Sequence, residues 1–450
     1  VVFVVNTKSS IYPPGATNAN WFSMFNAVAF QITLGSPMIL YAKSIGATAT
    51  VLGIIAALTP LLTIAQIPAA RLLVHSGYRR LVIRGWGSRT LFVFVIATVP
   101  LLTFLNNVSK IALVLFCLFL FNLLRGISSG AWLPWMTDLI PEHVRGRFLS
   151  RDQIFMHTGS LGALLLSAAL LGGKASPWQF SLVFLVSACG GAVSLLFLLR
   201  IPDIEAREAL VKSTTRVPWR EIVTYPPFFR LSIFTLLWVF AVGAVGVFNV
   251  AFLKTTVGYS ESVILYLTTV YFTGAMVSLP LVGRLLDGIG SRVVLRLAIV
   301  VSLAYHFAFW LLSSRLVAAS LPMLIALQFM NGMAGANFGL AQVRLTMNTM
   351  PPMGRSHFFA FFTVISSLGL AASPIAWGLV IDAVGTWENL TGPVAWNRFS
   401  IFYFAVVVMI VAVGVYSFAL HEKSGMPPSL DAREMIFRAR LRRLMRLWQR

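Results

Sequence analysis

Long apolar segments alternate with short polar gaps along nearly the whole 450-residue chain. A helix that crosses a bilayer needs about 20 mostly apolar residues, and such a helix satisfies its backbone polar groups internally. The pattern predicts twelve spans: 21–41, 49–73, 85–105, 111–138, 154–171 and 180–199, then 231–253, 262–282, 293–312, 318–345, 358–382 and 399–420. The longest gap between spans, 201–227, mixes both charge signs with Pro202, Pro218, Pro226 and Pro227, and it divides the twelve six and six. The expected organisation is an N-terminal segment (1–18), a six-helix bundle (19–200), a linker (201–227), a second six-helix bundle (228–421) and a basic tail (422–450). The fold class is all-α and polytopic.

Composition fixes the solvent: a chain with 58% hydrophobic and 11% charged residues cannot be wrapped into a water-soluble globule. Charge then fixes an expected orientation. Arg71, Arg79, Arg80, Arg84 and Arg89 are assigned to the second connection, and later even connections repeat the enrichment. On this assignment 28 of the 35 Lys and Arg fall in even connections, the N-terminal stretch or the tail, against six in odd connections, leaving Arg125 inside a span. Basic loops stay on the cytoplasmic side, so both termini are expected there, in a bacterial inner membrane. The net charge of +21 is then explained by loops facing an anionic leaflet, and no nucleic-acid partner is expected. Cys117 and Cys189 both fall within spans and make no disulfide framework. In the tail, Ser429 can cap a helix with Phe437, Leu441, Leu444 and Trp448 on one face and Arg438, Arg442 and Arg446 elsewhere. Such a helix is expected to lie on the inner leaflet, with a partner-binding helix as the alternative.

The two halves repeat. The stretch from Gly283 to Arg292 (GRLLDGIGSR) aligns without gaps with that from Ala70 to Arg79 (ARLLVHSGYR), sharing Arg, Leu, Leu, Gly and Arg at a spacing of 213 (283 − 70). Pro141 to Arg145 and Pro351 to Arg355 follow the fourth and tenth spans at a spacing of 210 (351 − 141). These loops resemble the major facilitator superfamily, whose 2–3 and 8–9 loops carry G-x-L-x-D-x-x-G-x-R and whose 4–5 loops often carry P-x-x-x-R-G. The second copy is complete at Gly283, Leu285, Asp287, Gly290 and Arg292; in the first, Ala70 replaces the opening Gly and Val74 the acid. The resemblance implies two pseudo-symmetric six-helix bundles, with spans 1, 4, 7 and 10 around a central cavity. It also implies a cytoplasmic gate at Gly283, Asp287, Gly290 and Arg292, with Gly77 and Arg79 as the first-half counterparts and Arg145 and Arg355 in the other repeated loop. Gly283 suits close helix approach and Gly290 a tight turn.

Arg125 is the sharpest candidate for meeting a solute, because a cation halfway along an apolar span costs about 2.5–3.5 kcal/mol unless compensated. Helical spacing puts Asn122, Arg125, Ser129 and Trp132 on one face, and an anionic group of a substrate is a natural partner. Carbonyls or hydroxyls of neighbouring helices are the alternative, as is a gate arginine of the R-x-x-Q-G kind, whose last two positions are here Ser128 and Ser129. All 14 acidic residues fall in loops, at helix ends or in the tail, so no carboxylate is available for proton coupling in the bundle. His157 is the candidate that remains, while His306, in a span expected to pack peripherally, reads as structural. Neutral polar candidates are Asn26 and Gln31 in the first span, Asn249 in the seventh, and Gln328, Asn331 and Asn337 in the tenth. Amides also glue membrane helices together, so each has two readings. Trp238 caps the cavity or sits at the membrane interface.

Nucleophile, base, nucleotide-binding and metal-ligand signatures are missing, so neither covalent chemistry nor a cofactor is expected. The expected protein is a monomer that moves a small organic solute, possibly an anionic one, by alternating access. Two alternatives are a membrane sensor or assembly factor that keeps the fold without transport, and a carrier of lipids or amphiphiles.

Overall fold

Where each helix begins follows from local chemistry. Thr48, Asn106 and Asn397 accept hydrogen bonds from the first free N–H groups of the helices that follow them, and Ser176 with Gln179 forms a capping box. Pro37, Pro177 and Pro226 occupy first-turn positions, where a missing N–H is harmless. In the computed structural model, residues 13, 15–69, 76–172, 175–203, 225–349 and 355–420 are described. The helices of the first half are α1 (Ala16–Leu34), α2 (Ser36–Ser44), α3 (Ala49–Thr63), α4 (Tyr78–Thr98), α5 (Asn107–Leu139), α6 (Glu142–Leu171) and α7 (Pro177–Leu198). Those of the second are α8 (Pro226–Val242), α9 (Val245–Phe252), α10 (Glu261–Ile289), α11 (Ser291–Ser313), α12 (Leu321–Thr349), α13 (Arg355–Val384) and α14 (Arg398–Tyr416). With α1/α2 and α8/α9 each forming one broken span, these make twelve spans, ten of which are long and apolar enough on their own to cross a membrane.

The two halves share one packing plan. In the first, α1 packs on α6 and α7, α4 on α5 and α7, and α3 on α5; in the second, α8 packs on α13 and α14, α11 on α12 and α14, and α10 on α12. Small residues set the closest approaches. A Cβ on Gly126 of α5 would stand 2.0 Å from the Leu62 carbonyl oxygen, and one on Gly332 of α12 would stand 1.9 Å from that of Tyr271, the contact that lets membrane helices meet without a hydrophobic driving force. The repeated signature loops also turn alike. Gly77 (φ 71°, ψ 164°) and Gly290 (φ 83°, ψ 160°) precede α4 and α11 in the same conformation, one that a side chain would oppose. Between the halves, α3 packs along α13 and α6 along α10.

Two features differ from the sequence expectation. The third span begins at Tyr78 rather than 85, because the helix runs on through its basic first turns. The connection between α13 and α14 is not wholly irregular: β1 (Glu388–Thr391) pairs antiparallel with β2 (Val394–Asn397), with Glu388 opposite Asn397. Gly392 at φ 60° makes the turn, and Arg315 holds Glu388 in an ion pair at 2.8 Å. The linker 204–224 and the tail 421–450, with its expected amphipathic helix, lie outside the described residues.

Candidate functional site

Hydropathy runs unbroken through the first and seventh spans, yet both helices break at mid-length. Helix α1 stops at Leu34, Gly35 is extended, and Pro37 starts α2; helix α8 stops at Val242, and a turn at Gly243–Ala244 precedes α9. Broken helices at mid-membrane are tolerated where backbone lines a cavity. Here a cavity of about 460 Å³ lies between the breaks, with Gln31, Gly35 and Ser36 on one side and Gly243 and Gly246 on the other. Helices α10, α11 and α12 complete its wall through Tyr271, Tyr305, His306, Gln328, Asn331 and Phe338. Trp238 is also a wall residue and stacks on Phe338 with ring centroids 3.9 Å apart, so it faces the cavity and not the membrane interface. No Asp, Glu, Lys or Arg lines this cavity among the described residues.

Hydrogen bonding sorts the candidate amides into two groups. Asn249 stands on the cavity wall but is consumed: its Nδ2 donates to the Tyr305 hydroxyl at 2.7 Å and its Oδ1 accepts from Tyr403 at 3.1 Å, in a buried triad. Asn122, fully buried, donates to the Leu118 carbonyl and accepts from Thr59. Asn26 accepts from the Arg89 guanidinium. Gln31, Gln328 and Asn331 line the cavity, and among the described residues their side chains have no protein hydrogen-bond partner. Asn337, the other amide of the tenth span, has a buried Oδ1 without a partner. Gln31, Gln328 and Asn331 are therefore the amides free to bind something that enters the cavity.

Arg89 corrects the charge assignment. Placed by sequence among the basic residues of the second connection, it lies in the body of α4 and is 4% exposed, with its guanidinium over the rings of Trp86 and Phe121 and bonded to Asn26. The boundary error explains the misplacement: a helix starting at Tyr78 carries Arg89 three turns in, to mid-depth. Arg125, on α5, lies over the Phe30 ring at 5.0 Å, and its buried Nη1 has no partner. Among the described residues no carboxylate forms an ion pair with Arg89 or Arg125. Phe30, beneath Arg125, lines a second cavity of about 410 Å³ that shares Leu34 and Gly243 with the first, and Thr59, the partner of Asn122, also lines it. The two cavities thus adjoin, but neither Arg89 nor Arg125 is among the residues that line them, and no residue of the fourth span is, contrary to the sequence expectation; Arg125 reaches the second cavity only through the Phe30 ring it covers.

The other candidates fall elsewhere. Ser129 donates to the Gly126 carbonyl of its own helix, and Trp132 joins a cluster with Phe22, Trp86 and Trp135. His157 sits between the halves, its ring 6.4 Å from that of Phe272 on α10, itself a cavity residue. His306, read from sequence as structural, lines the cavity on the ninth span; its Nδ1 meets the Ser302 carbonyl oxygen at 2.6 Å while its Nε2 has no partner. In the signature loops, Arg79 donates to the Leu199 carbonyl at 2.8 Å and Arg292 to that of Leu420 at 3.4 Å. Each therefore ties the start of one helix to the end of the last helix of its own bundle. Residues 70–75 and the side chains of Arg145, Asp287 and Arg355, with the surroundings of Gly283, lie outside the described residues.

At the end of the bundles remote from the chain termini, the halves are joined. There the Asp382 carboxylate at the end of α13 accepts from Ala49 N at 2.9 Å and Thr50 N at 2.7 Å, capping α3 of the other half, while deeper in, on the cavity wall, Ser36 and Thr268 approach to 3.4 Å across the halves. Lys43 and Arg398 line a small cavity around that carboxylate.

Twelve spans in two like-packed halves, with a mid-depth cavity between broken helices, define a multi-pass membrane transporter of small solutes. The sequence profile of the Major Facilitator Superfamily matches residues 20–251 and again 240–448. The chain belongs to that family. Its structure is similar to a D-xylose–proton symporter (TM-score 0.70, 14% identity, 91% of this chain and 98% of that one). It is also similar to the nucleoside transporter NupG (0.65, 12%, 90% and 98%) and to a POT family transporter in complex with 5-aminolevulinic acid (0.67, 12%, 91% and 97%). No curated protein sequence matches the chain.

Proposed function

We propose that the chain is a secondary transporter that carries a small organic anion by alternating access, with Arg125 and Arg89 receiving the negative group. The observation that carries this reading is a pair of guanidiniums at mid-depth, one with an unpartnered buried Nη1, and no carboxylate paired to either among the described residues. Each unpaired cation at the bilayer centre costs about 2.5–3.5 kcal/mol on insertion scales. A solute anion would relieve both that cost and the repulsion between the two. Rocking would take place along α3–α13 and α6–α10, where the halves meet, while the breaks at Gly35 and Gly243–Ala244 let the first and seventh spans bend at the cavity. The basic connections and tail support an orientation with both termini in the cytoplasm of a bacterial cell. No step makes or breaks a covalent bond.

A thermal-shift screen of the purified protein tests this, because a bound ligand raises apparent stability. Organic anions are expected to stabilise it and neutral sugars of similar size are not. Removing a charged hydrogen-bond partner costs about 1.5–3 kcal/mol, so Arg125→Ala is expected to weaken anion binding by roughly tenfold to a hundredfold. Stabilisation by neutral solutes alone would overturn the reading.

A further inference from the structure

Resting on the anion reading, we infer that the carried anion has an uncharged part bearing a hydrogen-bond donor, and that His306 is the residue that selects for it. The imidazole is held in one tautomer. Its Nδ1 lies 2.6 Å from the Ser302 carbonyl oxygen, which can only accept, so Nδ1 carries the proton and the neutral ring offers a lone pair at Nε2. Because Nδ1 is tied back to the preceding turn of α11, Nε2 points away from that helix. The residue is 2% exposed and lines the central cavity, and Nε2 has no partner. A buried acceptor without a partner is unfavourable; Nε2 is covered by its neighbours in this structure, and a donor on a solute in the cavity would satisfy it once the side chains over it move aside.

The surroundings say what kind of group that is. With no Asp, Glu, Lys or Arg on the cavity wall among the described residues, the part of the solute that enters is uncharged. Gln31, Gln328 and Asn331 bring amides that both donate and accept, so they discriminate little; His306 offers acceptance alone. One molecule can span both cavities, since both are walled by Leu34 and Gly243, and Phe30, which lines the second and lies beneath Arg125, is next in sequence to Gln31 of the first. A solute anchored by its charge at Arg125 would place its body against Gln31 and α11. Hydroxy acids and other anions with an O–H or N–H on the carbon frame fit this description; plain aliphatic or aromatic carboxylates do not.

The test compares matched anions that differ by the donor: lactate with propionate, 4-hydroxybenzoate with benzoate, and gluconate with hexanoate. Binding is measured by calorimetry on the full-length protein and on His306→Leu, His306→Gln and Arg125→Ala. In the wild type the donor-bearing member of at least one pair is expected to bind at least tenfold more tightly than its mate. His306→Leu should bring the two within about twofold while leaving the affinity for the mate unchanged, and His306→Gln, whose amide oxygen accepts, should keep part of the preference. No preference in any pair, or a preference that survives His306→Leu, overturns the inference. Arg125→Ala separates it from the reading beneath: that variant should weaken both members alike, and if it weakens neither while His306→Leu still erases the preference, the anion site is wrong and His306 still reads the donor.

Discussion

Replacing Asp382 with Asn should loosen the contact that joins the two halves at the end remote from the termini. The N–H groups that open helix α3 need partners outside the regular helix ladder, which starts with Leu52 N, and the structure supplies them at Ala49, Thr50 and Val51. Leu52 N and Val51 N are taken by the backbone and side-chain oxygens of Thr48, and Ala49 N and Thr50 N by Asp382 from the other half. A hydrogen bond to a charged group contributes about 1.5–3 kcal/mol and an acid at a helix N-terminus about 0.3–1 kcal/mol. Both figures shrink here, because Asp382 is solvent-exposed and the parted groups regain water. Asn keeps one acceptor and loses the charge, so a net loss of about 1 kcal/mol remains, roughly a fivefold shift toward the parted arrangement. With Cys117 and Cys189 replaced by Ser, spin labels at Ser44 and Trp387, both exposed near this contact, report the separation by pulsed EPR. The long-distance population should grow about fivefold in Asp382→Asn and further in Asp382→Ala. Identical distance distributions in wild type and both variants would refute the reasoning.

Asn249→Ala strips partners from two buried tyrosine hydroxyls and should lower stability by about 1–3 kcal/mol in a thermal melt, whereas Asn331→Ala should leave the melt unchanged and weaken solute binding. Gly332→Ala places a methyl 1.9 Å from the Tyr271 carbonyl oxygen and should cost about 1–3 kcal/mol by forcing α10 and α12 apart, read as a lower melting temperature. Lys254 and Glu261 pair at 2.6 Å with the glutamate 4% exposed. Lys254→Met, which strands a buried carboxylate, should therefore destabilise more than the double variant Lys254→Met/Glu261→Gln, by the same measurement.

The twelve spans, the duplication and the signature loops were legible because hydropathy and loop sequence record them directly. Gly77 and Gly290 even adopt the same backbone conformation at their repeated positions. Arg89 is not legible as an intramembrane charge for a physical reason: Arg79, Arg80 and Arg84 depress the hydropathy at the start of α4, so the apolar run begins late and Arg89 reads as part of the basic loop. The breaks at Gly35 and at Gly243–Ala244 left no trace in hydropathy, since the residues on both sides are equally apolar. The amides could not be sorted from sequence at all. Asn249 and Asn331 are the same residue type on spans expected to line the cavity, and only the presence of Tyr305 and Tyr403 beside one of them separates glue from a free group. The place of His306 on the cavity wall is hidden in the sequence because periodicity does not show which face of the ninth span meets the cavity.

Counterflow in proteoliposomes tests the central claim most directly: vesicles loaded with an unlabelled organic anion that binds the purified protein are diluted into the same anion carrying a radiolabel. Transient, saturable accumulation of label is expected with wild-type protein, and its loss at the same concentration with Arg125→Ala reconstituted to the same density. Label that enters wild-type vesicles no faster than empty ones, or equally fast through Arg125→Ala, would contradict that claim.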